Sequence, residues 1–511
     1  MGFVEKLRKL DKFTRYSAVV ISIFALVILY LTAVHHVSGD ACWYMSISRF
    51  ISNNRLIPFD EPLGRDMPFW SPPLFHIMAA SVFYAFGNVS HSFANFAVKF
   101  ISPFFGIGSL FLSFAIIKKL FDSKIAFYSI VFLAFIPIFV DYSIFSYVES
   151  TLVFFVILSL YFVINGRIVL GGIAAGLSVL VKYNGIFILP ALVYFIYLSN
   201  AKKRIFFKKS AVLILLALII PSPWFIRNLV LLGNPVWPFL NFIFHGYSAS
   251  SYGNLQLSNL VDPDFAIYTY LGFFGVPDCR YAALTFFKIP YFGILLPLWL
   301  LGTFVFIMPL LIGFFRIGKL RIKNSASKVK VNFLLFWIIA YIFVLLLYVV
   351  NAGFAVSRMI LPAFPAIAVF WAFGYEKIAN SKCRKLAIFC LFIIIIGLIF
   401  AETIKITLAS REWGKYKEDF DWIKQNTPEG AIFMANGQCF PYNIERLALY
   451  STSENIRENL ENADYIWVNQ NFKLDTFSSF DKQSLSIIQS GDYKAEYRNK
   501  KTGTIIYSIR R

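Results

Sequence analysis

Basic residues fill alternate connections between the apolar stretches of this chain, and a bundle of membrane-spanning helices accounts for that alternation. Hydrophobic stretches long enough to cross a bilayer divide residues 16 to 404. The basic connections carry Lys6, Arg8, Lys9, Lys12 and Arg15; Lys118, Lys119 and Lys124; then Lys202, Lys203, Arg204, Lys208 and Lys209. Further along come Arg316, Lys319, Arg321, Lys323, Lys328 and Lys330, and finally Lys377, Lys382, Arg384 and Lys385. With Arg167 this set holds 24 basic residues against four acids, Glu5, Asp11, Asp122 and Glu376. The excess equals the +20 formal charge of the whole 511-residue protein. Lys and Arg are retained on the cytoplasmic side of membrane proteins. The sequence therefore predicts a multi-pass protein of the cell membrane whose neutral polar remainder works on the extracytoplasmic face.

In a soluble chain this basic balance would suggest nucleic acid as partner. Here topology and attraction to anionic membrane lipids account for it, and nucleic-acid binding is set aside. The aromatic share of 19% suits lipid-facing helices and interfacial belts. Five cysteines (Cys42, Cys279, Cys383, Cys390, Cys439) show neither a CxxC pair nor zinc spacing. Cys383 and Cys390 fall inside the cell or the membrane, so only Cys42, Cys279 and Cys439 are available to pair outside. The first apolar run, Tyr16 to Val37, is too long for a signal-peptide core and lacks a small-residue cleavage site, so it reads as a retained anchor.

A crossing helix needs about 20 residues, with a range of roughly 17 to 25. About eleven spans are expected: 16–37, 97–118, 124–142, 150–165, 168–182, 184–199, 211–228, 290–315, 331–350, 358–374 and 385–404. Segment 72–87 is apolar too, but counting it would reverse every later connection against the charge rule. It begins at Pro72 and Pro73, and we expect it to lie in the outer interface. The N-terminus is then cytoplasmic and the C-terminus extracytoplasmic, and the transmembrane catalytic domain is 1–404.

Residues 405–511 differ in texture, with 15 basic and 14 acidic residues and no long apolar run. Helix-like 418–425 precedes strand-like 431–435, and 455–462 precedes 465–469. Runs 493–498 and 504–509 flank Asn499-Lys500-Lys501-Thr502-Gly503, a hairpin signal. A small extracytoplasmic α/β domain is expected, serving as a cap or an acceptor platform.

The first outer connection, 38–96, is the densest polar cluster: Gly39-Asp40, Asp60-Glu61, Arg65-Asp66 and His76. An amphipathic stretch with Trp43, Ile47, Phe50 and Ile51 on one face follows Asp40 and would hold it in a cleft over the bilayer. Glu149 lies at the outer end of the third span. Two carboxylates facing one cavity suit a general base or a divalent metal ion, for which Asp40 and Glu149 are the candidate ligands. Lys182, Arg227, Arg358 and Arg65 are cations outside the cytoplasmic set. Charge at membrane depth is costly and marks function, and such cations would cradle a phosphate.

This ordered set resembles the GT-C superfamily of polyprenyl-phosphate-sugar-dependent glycosyltransferases. Protein O-mannosyltransferases, lipid A aminoarabinose transferases and, more distantly, oligosaccharyltransferase catalytic subunits belong to it. The matching pieces are Gly39-Asp40, Pro72-Pro73-Leu74, Glu149, Lys182-Tyr183, Pro223-Trp224 to Arg227-Asn228, and Arg358 to Pro362. The run through Gly233-Asn234-Pro235-Val236 is most like prokaryotic, especially archaeal, members. The resemblance implies that Asp40 activates the acceptor while Lys182, Arg227 and Arg358 hold the donor phosphate. Arg65, Asp66, His76 and Tyr183 become substrate-binding candidates. The chain departs from many relatives in having Ala41, not a second acid, after Asp40, and Ser71, not Lys or His, before the paired prolines.

The expected activity is inverting transfer of a sugar from a polyprenyl- or dolichyl-phosphate donor to a hydroxyl of a protein, glycan or lipid acceptor. A transporter or flippase of lipid-linked sugars would share the spans and cations but should show internal repeats. A non-catalytic scaffold would not explain Asp40, Glu149 and the outer cations.

Overall fold

The computed structural model describes residues 10–61, 67–87, 89–199, 202–247, 257–261, 269–275, 292–323, 325–352, 356–469, 472 and 480–509. Most of the described residues in each of the eleven expected spans are helical. In lipid the backbone must satisfy its own hydrogen bonds, and the helix does so within one segment. The order begins with α1 (Lys12–Val34), α2 (Asp40–Asn54), α3 (Leu74–Gly87), α4 (His91–Val98) and α5 (Ile101–Leu120). It continues with α6 (Ser123–Phe135), α7 (Pro137–Ile144), α8 (Glu149–Ile164) and α9 (Ile168–Val181). A 3-10 turn, Tyr183–Ile188, leads into α10 (Leu189–Ser199), followed by α11 (Lys203–Ile219), α12 (Ser222–Leu232) and α13 (Asn241–Phe244). Then come a second 3-10 turn at Leu257–Val261, α14 (Phe292–Lys323), α15 (Ser325–Ala352), a third 3-10 turn at Ser357–Ala363, α16 (Phe364–Ala379) and α17 (Arg384–Gly414).

Among the described residues, five helices are long and apolar enough to cross a membrane, or seven if each of two bent pairs is one span. The pairs are α6 with α7, bent by 63°, and α11 with α12, bent by 50°. Pro137 causes the first bend: it holds Ile136 extended at φ −70° and ψ 123°, because an α conformation there would clash with the proline ring. The segment predicted to be interfacial is the short apolar helix α3. Large side chains such as Phe104, Phe111, Phe389, Phe392 and Phe400 are exposed on the bundle exterior, as lipid-facing residues should be. The interior is packed with Phe, Trp and small residues. Gly313 and Gly374 let α14 and α16 touch backbone to backbone, since a Cβ on Gly374 would fall 1.7 Å from the Pro309 carbonyl oxygen.

The helix expected to end at 404 runs on to Gly414 and carries the chain into α18 (Lys417–Asn426). Beyond lie β1 (Ile432–Met434), α19 (Phe440–Ile444), β2 (Leu447–Leu449), α20 (Ile456–Asn462), β3 (Tyr465–Val468), α21 (Lys482–Ser490), β4 (Lys494–Asn499) and β5 (Thr504–Ser508). The sheet order is β2-β1-β3-β5-β4, with β1 parallel to β2 and β3, and β5 antiparallel to β3 and β4. The predicted helix–strand pairs and the hairpin are all present. Gly503 closes the hairpin at φ +79°, a conformation that glycine adopts without penalty.

The α/β region is seated on α2. Cys42 of α2 and Cys439, just before α19, form a disulfide with an S–S distance of 2.10 Å. One turn-pair further along α2, Arg49 donates to the Tyr442 carbonyl at 3.1 Å and to Asn95 Oδ1 at 2.7 Å, and lies over the Tyr442 ring. Of the three cysteines left open for pairing, Cys279 lies outside the described residues.

Candidate active site

Asp40 is the first residue of α2, where the exposed N–H groups of the helix end favour negative charge. Gly39 before it has φ +60° and ψ −142°, a conformation open to glycine and strained for other residues. Its missing Cβ makes room for Tyr147, whose hydroxyl oxygen would lie 2.7 Å from such an atom. That hydroxyl accepts the Asp40 backbone N–H at 3.1 Å. Glycine and tyrosine together thus fix where α2 begins, and with it the carboxylate.

Both carboxylate oxygens accept hydrogen bonds. Arg358 Nη2 donates to Asp40 Oδ2 at 2.6 Å, and Gln438 Nε2 donates to Oδ1 at 3.2 Å. The Arg358 Nε lies 3.4 Å from Glu149 Oε1, and Lys182 Nζ donates to the same oxygen at 2.8 Å. The Arg358 guanidinium also faces the Tyr147 ring at 5.3 Å. Four charged groups thus form one line, Asp40–Arg358–Glu149–Lys182. Glu149 begins α8, Lys182 ends α9, and Arg358 enters on the 3-10 turn before α16, so antiparallel packing of α8 and α9 brings the first two together.

Exposure differs along this line. Glu149's side chain is 1% exposed, Arg358's 15%, Lys182's 19% and Asp40's 42%. Asp40 is therefore the carboxylate a substrate can reach. Its partial burial pushes its pKa up, but the Arg358 charge and the Arg358 and Gln438 hydrogen bonds outweigh that and hold it below the usual carboxylate value. Burial and the nearby Glu149 carboxylate push the Tyr44 hydroxyl well up, so it stays protonated.

The remaining predicted residues lie in different surroundings. Tyr183, adjacent to Lys182, accepts from Trp224 Nε1 and Asn228 Nδ2 at 2.9 Å each and contacts the Trp70 carbonyl at 3.2 Å. Arg227 donates to the carbonyls of Pro58 at 2.9 Å and Phe69 at 3.3 Å, and to Asn228 Oδ1 at 2.9 Å. These two residues tie α12 to the first outer connection. His76 is fully buried among the rings of Trp43, Tyr44 and Phe69, at 5.6, 5.5 and 5.1 Å. Arg65 and Asp66 lie outside the described residues. Sequence reasoning missed Tyr147 and Gln438. Tyr147 directly precedes Val148-Glu149, and Gln438 adjoins a cysteine able to pair with Cys42, so both carried a positional signal.

No group of three or more His, Cys, Asp or Glu among the described residues has a metal-binding arrangement. The Arg358 guanidinium lies 2.6 Å from Asp40 and 3.4 Å from Glu149, and its positive charge opposes a cation held by both. This donor set does not suit a resident divalent metal.

The sequence model of the dolichyl-phosphate-mannose-protein mannosyltransferase family matches residues 71–226. That stretch includes the paired prolines, Glu149, Lys182 and the Trp224 region. No curated protein matches the chain. Among solved structures, ArnT from Cupriavidus metallidurans bound to undecaprenyl phosphate has a TM-score of 0.63 at 13% identity, over 96% of this chain and 98% of its own. The Archaeoglobus fulgidus oligosaccharyltransferase, in a complex with zinc and sulfate, has a TM-score of 0.57 at 16% identity, over 96% of this chain and 73% of its own. The mycobacterial arabinofuranosyltransferase AftD has a TM-score of 0.57 at 11% identity, over 98% of this chain and 40% of its own. The likeness of these three structures over nearly all of this chain and the family match over residues 71–226 lead to one conclusion: this protein has the fold of the GT-C glycosyltransferases.

Proposed function

We propose that the protein transfers a sugar, with inversion, from a polyprenyl-phosphate donor to an acceptor hydroxyl at the extracytoplasmic membrane face. The observation that carries this reading is Asp40: reachable, ionised and oriented by two donors at a helix start. The undecaprenyl phosphate held by the similar ArnT structure supports the donor class. Asp40 takes the proton of the acceptor hydroxyl as its oxygen bonds to the anomeric carbon. The bond from that carbon to the phosphate oxygen breaks on the opposite side, and polyprenyl phosphate leaves with the electron pair. Lys182 and Arg358 stabilise the departing charge, and Arg227 adds positive charge beside the first outer connection. The Glu149 contact uses one of the three N–H donors of Lys182, leaving others for phosphate oxygens. Stabilisation of the leaving phosphate supplies the larger part of the acceleration, and the base typically about 10²–10⁴-fold.

Glu149 acts on the cations. Buried, accepting from Lys182 at 2.8 Å and ion-paired with Arg358 at 3.4 Å, it sets their spacing. No step is routed through a metal ion, and chelator treatment should leave turnover intact. The acceptor class, whether protein, glycan or lipid, is open to assay. The cytoplasmic N-terminus and outer α/β region follow from the charge pattern.

The test incubates purified protein in lipid with a panel of radiolabelled dolichyl- and undecaprenyl-phosphate sugars and a membrane extract. A labelled product is expected with wild type. With Asp40→Asn, donor binding should survive while turnover falls by about 10²-fold or more. Near-wild-type transfer by a normally folded Asp40→Asn protein would refute the assignment. Movement of intact donor between leaflets without a new product would favour a flippase.

A further inference from the structure

We propose that Gln438 is a positioning residue for Asp40, delivered by the C-terminal region and locked in place by the Cys42–Cys439 disulfide. The active site is then shared between the helical bundle and the α/β region. This inference rests on the role given to Asp40 above.

The geometry supports it at three levels. Gln438 Nε2 donates to Asp40 Oδ1 at 3.2 Å, on the oxygen opposite the Arg358 contact. An ionised carboxylate only accepts hydrogen bonds, so the amide must present its nitrogen here. A neutral donor restrains the carboxylate plane without adding a second full charge that would quench its basicity. The backbone on each side of Gln438 is fixed. Asn436 is buried and exchanges two hydrogen bonds with Ser451, each at 2.9 Å. Gly437 turns the chain at φ +124°, open to glycine. Cys439 is bonded to Cys42, only two residues beyond Asp40 on the same helix. Base and restraint are therefore tied to each other within one turn of α2. Finally, this loop leaves the carboxyl end of β1, which pairs in parallel with β2 and β3, the edge at which open α/β sheets present binding groups.

The groups facing Asp40 are Arg358, Glu149, Lys182, Tyr44 and Tyr147. Among the described residues, the hydrogen bond to the Asp40 carboxylate from the C-terminal region is that of Gln438, so it can be removed separately. Full-length protein in lipid nanodiscs is compared as wild type, Gln438→Met, Gln438→Glu and Cys42→Ser/Cys439→Ser, with the donor selected by the labelled panel. Gln438→Met should lower kcat by about tenfold and move the acid limb of the kcat/KM–pH profile upward, because a hydrogen bond to the charged form is lost. Gln438→Glu should move that limb further, since like charge disfavours ionisation. Removing both cysteines, or reducing wild type, should have the same effect as Gln438→Met, which should then add little in the cysteine-free background. A thermal double-mutant cycle of Asp40→Asn with Gln438→Met reads the contact without any donor, and a non-additive shift in Tm is expected. Additive shifts with an unmoved acid limb would overturn the proposal. If wild type transferred no sugar while the cycle stayed non-additive, only the glycosyl-transfer reading would fail.

Discussion

Replacing Gly39 with alanine should displace Asp40 by a calculable amount. The new Cβ would lie 2.7 Å from the Tyr147 hydroxyl oxygen, where ordinary contact begins at 3.4 Å, so ~0.7 Å must be found. The tyrosine cannot readily supply it. Its ring is flanked by Tyr44 at 6.0 Å, Tyr142 at 5.6 Å and Phe145 at 6.0 Å, with Arg358 over its face. Most of the shift therefore falls on the start of α2. A misplacement of about 1 Å in a catalytic group costs on the order of 10²-fold in rate, so a loss of about 10- to 100-fold in kcat is expected, with donor binding retained. Separately, a non-glycine residue at φ +60°, ψ −142° is strained by about 1–3 kcal/mol, which should lower thermal stability. The two effects can be separated with Tyr147→Phe. Phenylalanine removes the clashing oxygen at the loss of one hydrogen bond, about 0.5–1.5 kcal/mol. Gly39→Ala/Tyr147→Phe should then regain part of the lost kcat but not the stability lost to backbone strain. The measurements are initial-rate kinetics and thermal unfolding of all four proteins in one lipid system. Near-wild-type kcat for Gly39→Ala, or no recovery in the double variant, would show that this contact does not place the carboxylate.

Arg358→Ala should weaken donor binding strongly, and Arg358→Lys should restore it only in part because an ammonium lacks the planar fork, as titration with undecaprenyl phosphate would show. In wild type the acid limb assigned to Asp40 should fall below the usual carboxylate value. A carboxyl held low when folded contributes stability above its unfolded pKa and loses it as pH falls through the lower folded value. The limb should rise in Arg358→Ala, and a pH–rate series on both proteins checks it. A cysteine placed in 320–328 should be protected from a membrane-impermeant thiol reagent in intact cells and one in 455–462 labelled; equal labelling of both would refute the proposed topology. Lys405→Met should destabilise the bundle by about 3–5 kcal/mol in thermal unfolding, because it strands Asp141 and Glu402, whose side chains are 8% and 3% exposed.

The helices were readable because hydropathy and charge act over 20-residue windows, where single residues matter little. The expectation that α3 lies in the outer interface rests on the same logic, since counting it as a span would invert every later loop. Asp40, Glu149, Lys182 and Arg358 stood out because charge at a membrane boundary is expensive to keep, and the structure places them in one line. Arg227 was read by the same rule, but it donates to the Asn228 side chain and to main-chain carbonyls of a loop whose path the sequence does not reveal. His76 looked available for substrate because a histidine after paired prolines carries no sign of the aromatic cage that encloses it. Gln438 was hidden for a different reason. It is neutral, lies in a segment of ordinary globular texture, and reaches Asp40 only through a tertiary fold joining residues 398 positions apart. Strand β2 is three residues long, too short to show an alternating pattern.

The cystine joining residues 42 and 439 also sets an order of events during synthesis. The two cysteines are 397 residues apart, and nearly every helix of the bundle lies between them. In the proposed topology Cys42 reaches the outer face before the helices that follow it are inserted, and Cys439 only after them. The early thiol must wait, unpaired, while the rest of the bundle is inserted. Gln438 arrives beside Asp40 only when the tail has been exported and has folded. A nascent or truncated chain would hold its full set of membrane cations and its base, yet lack the last restraint on that base. Pairing of Cys42 with Cys439 would then report that the helices between them have been inserted, and the oxidising exterior would record that step.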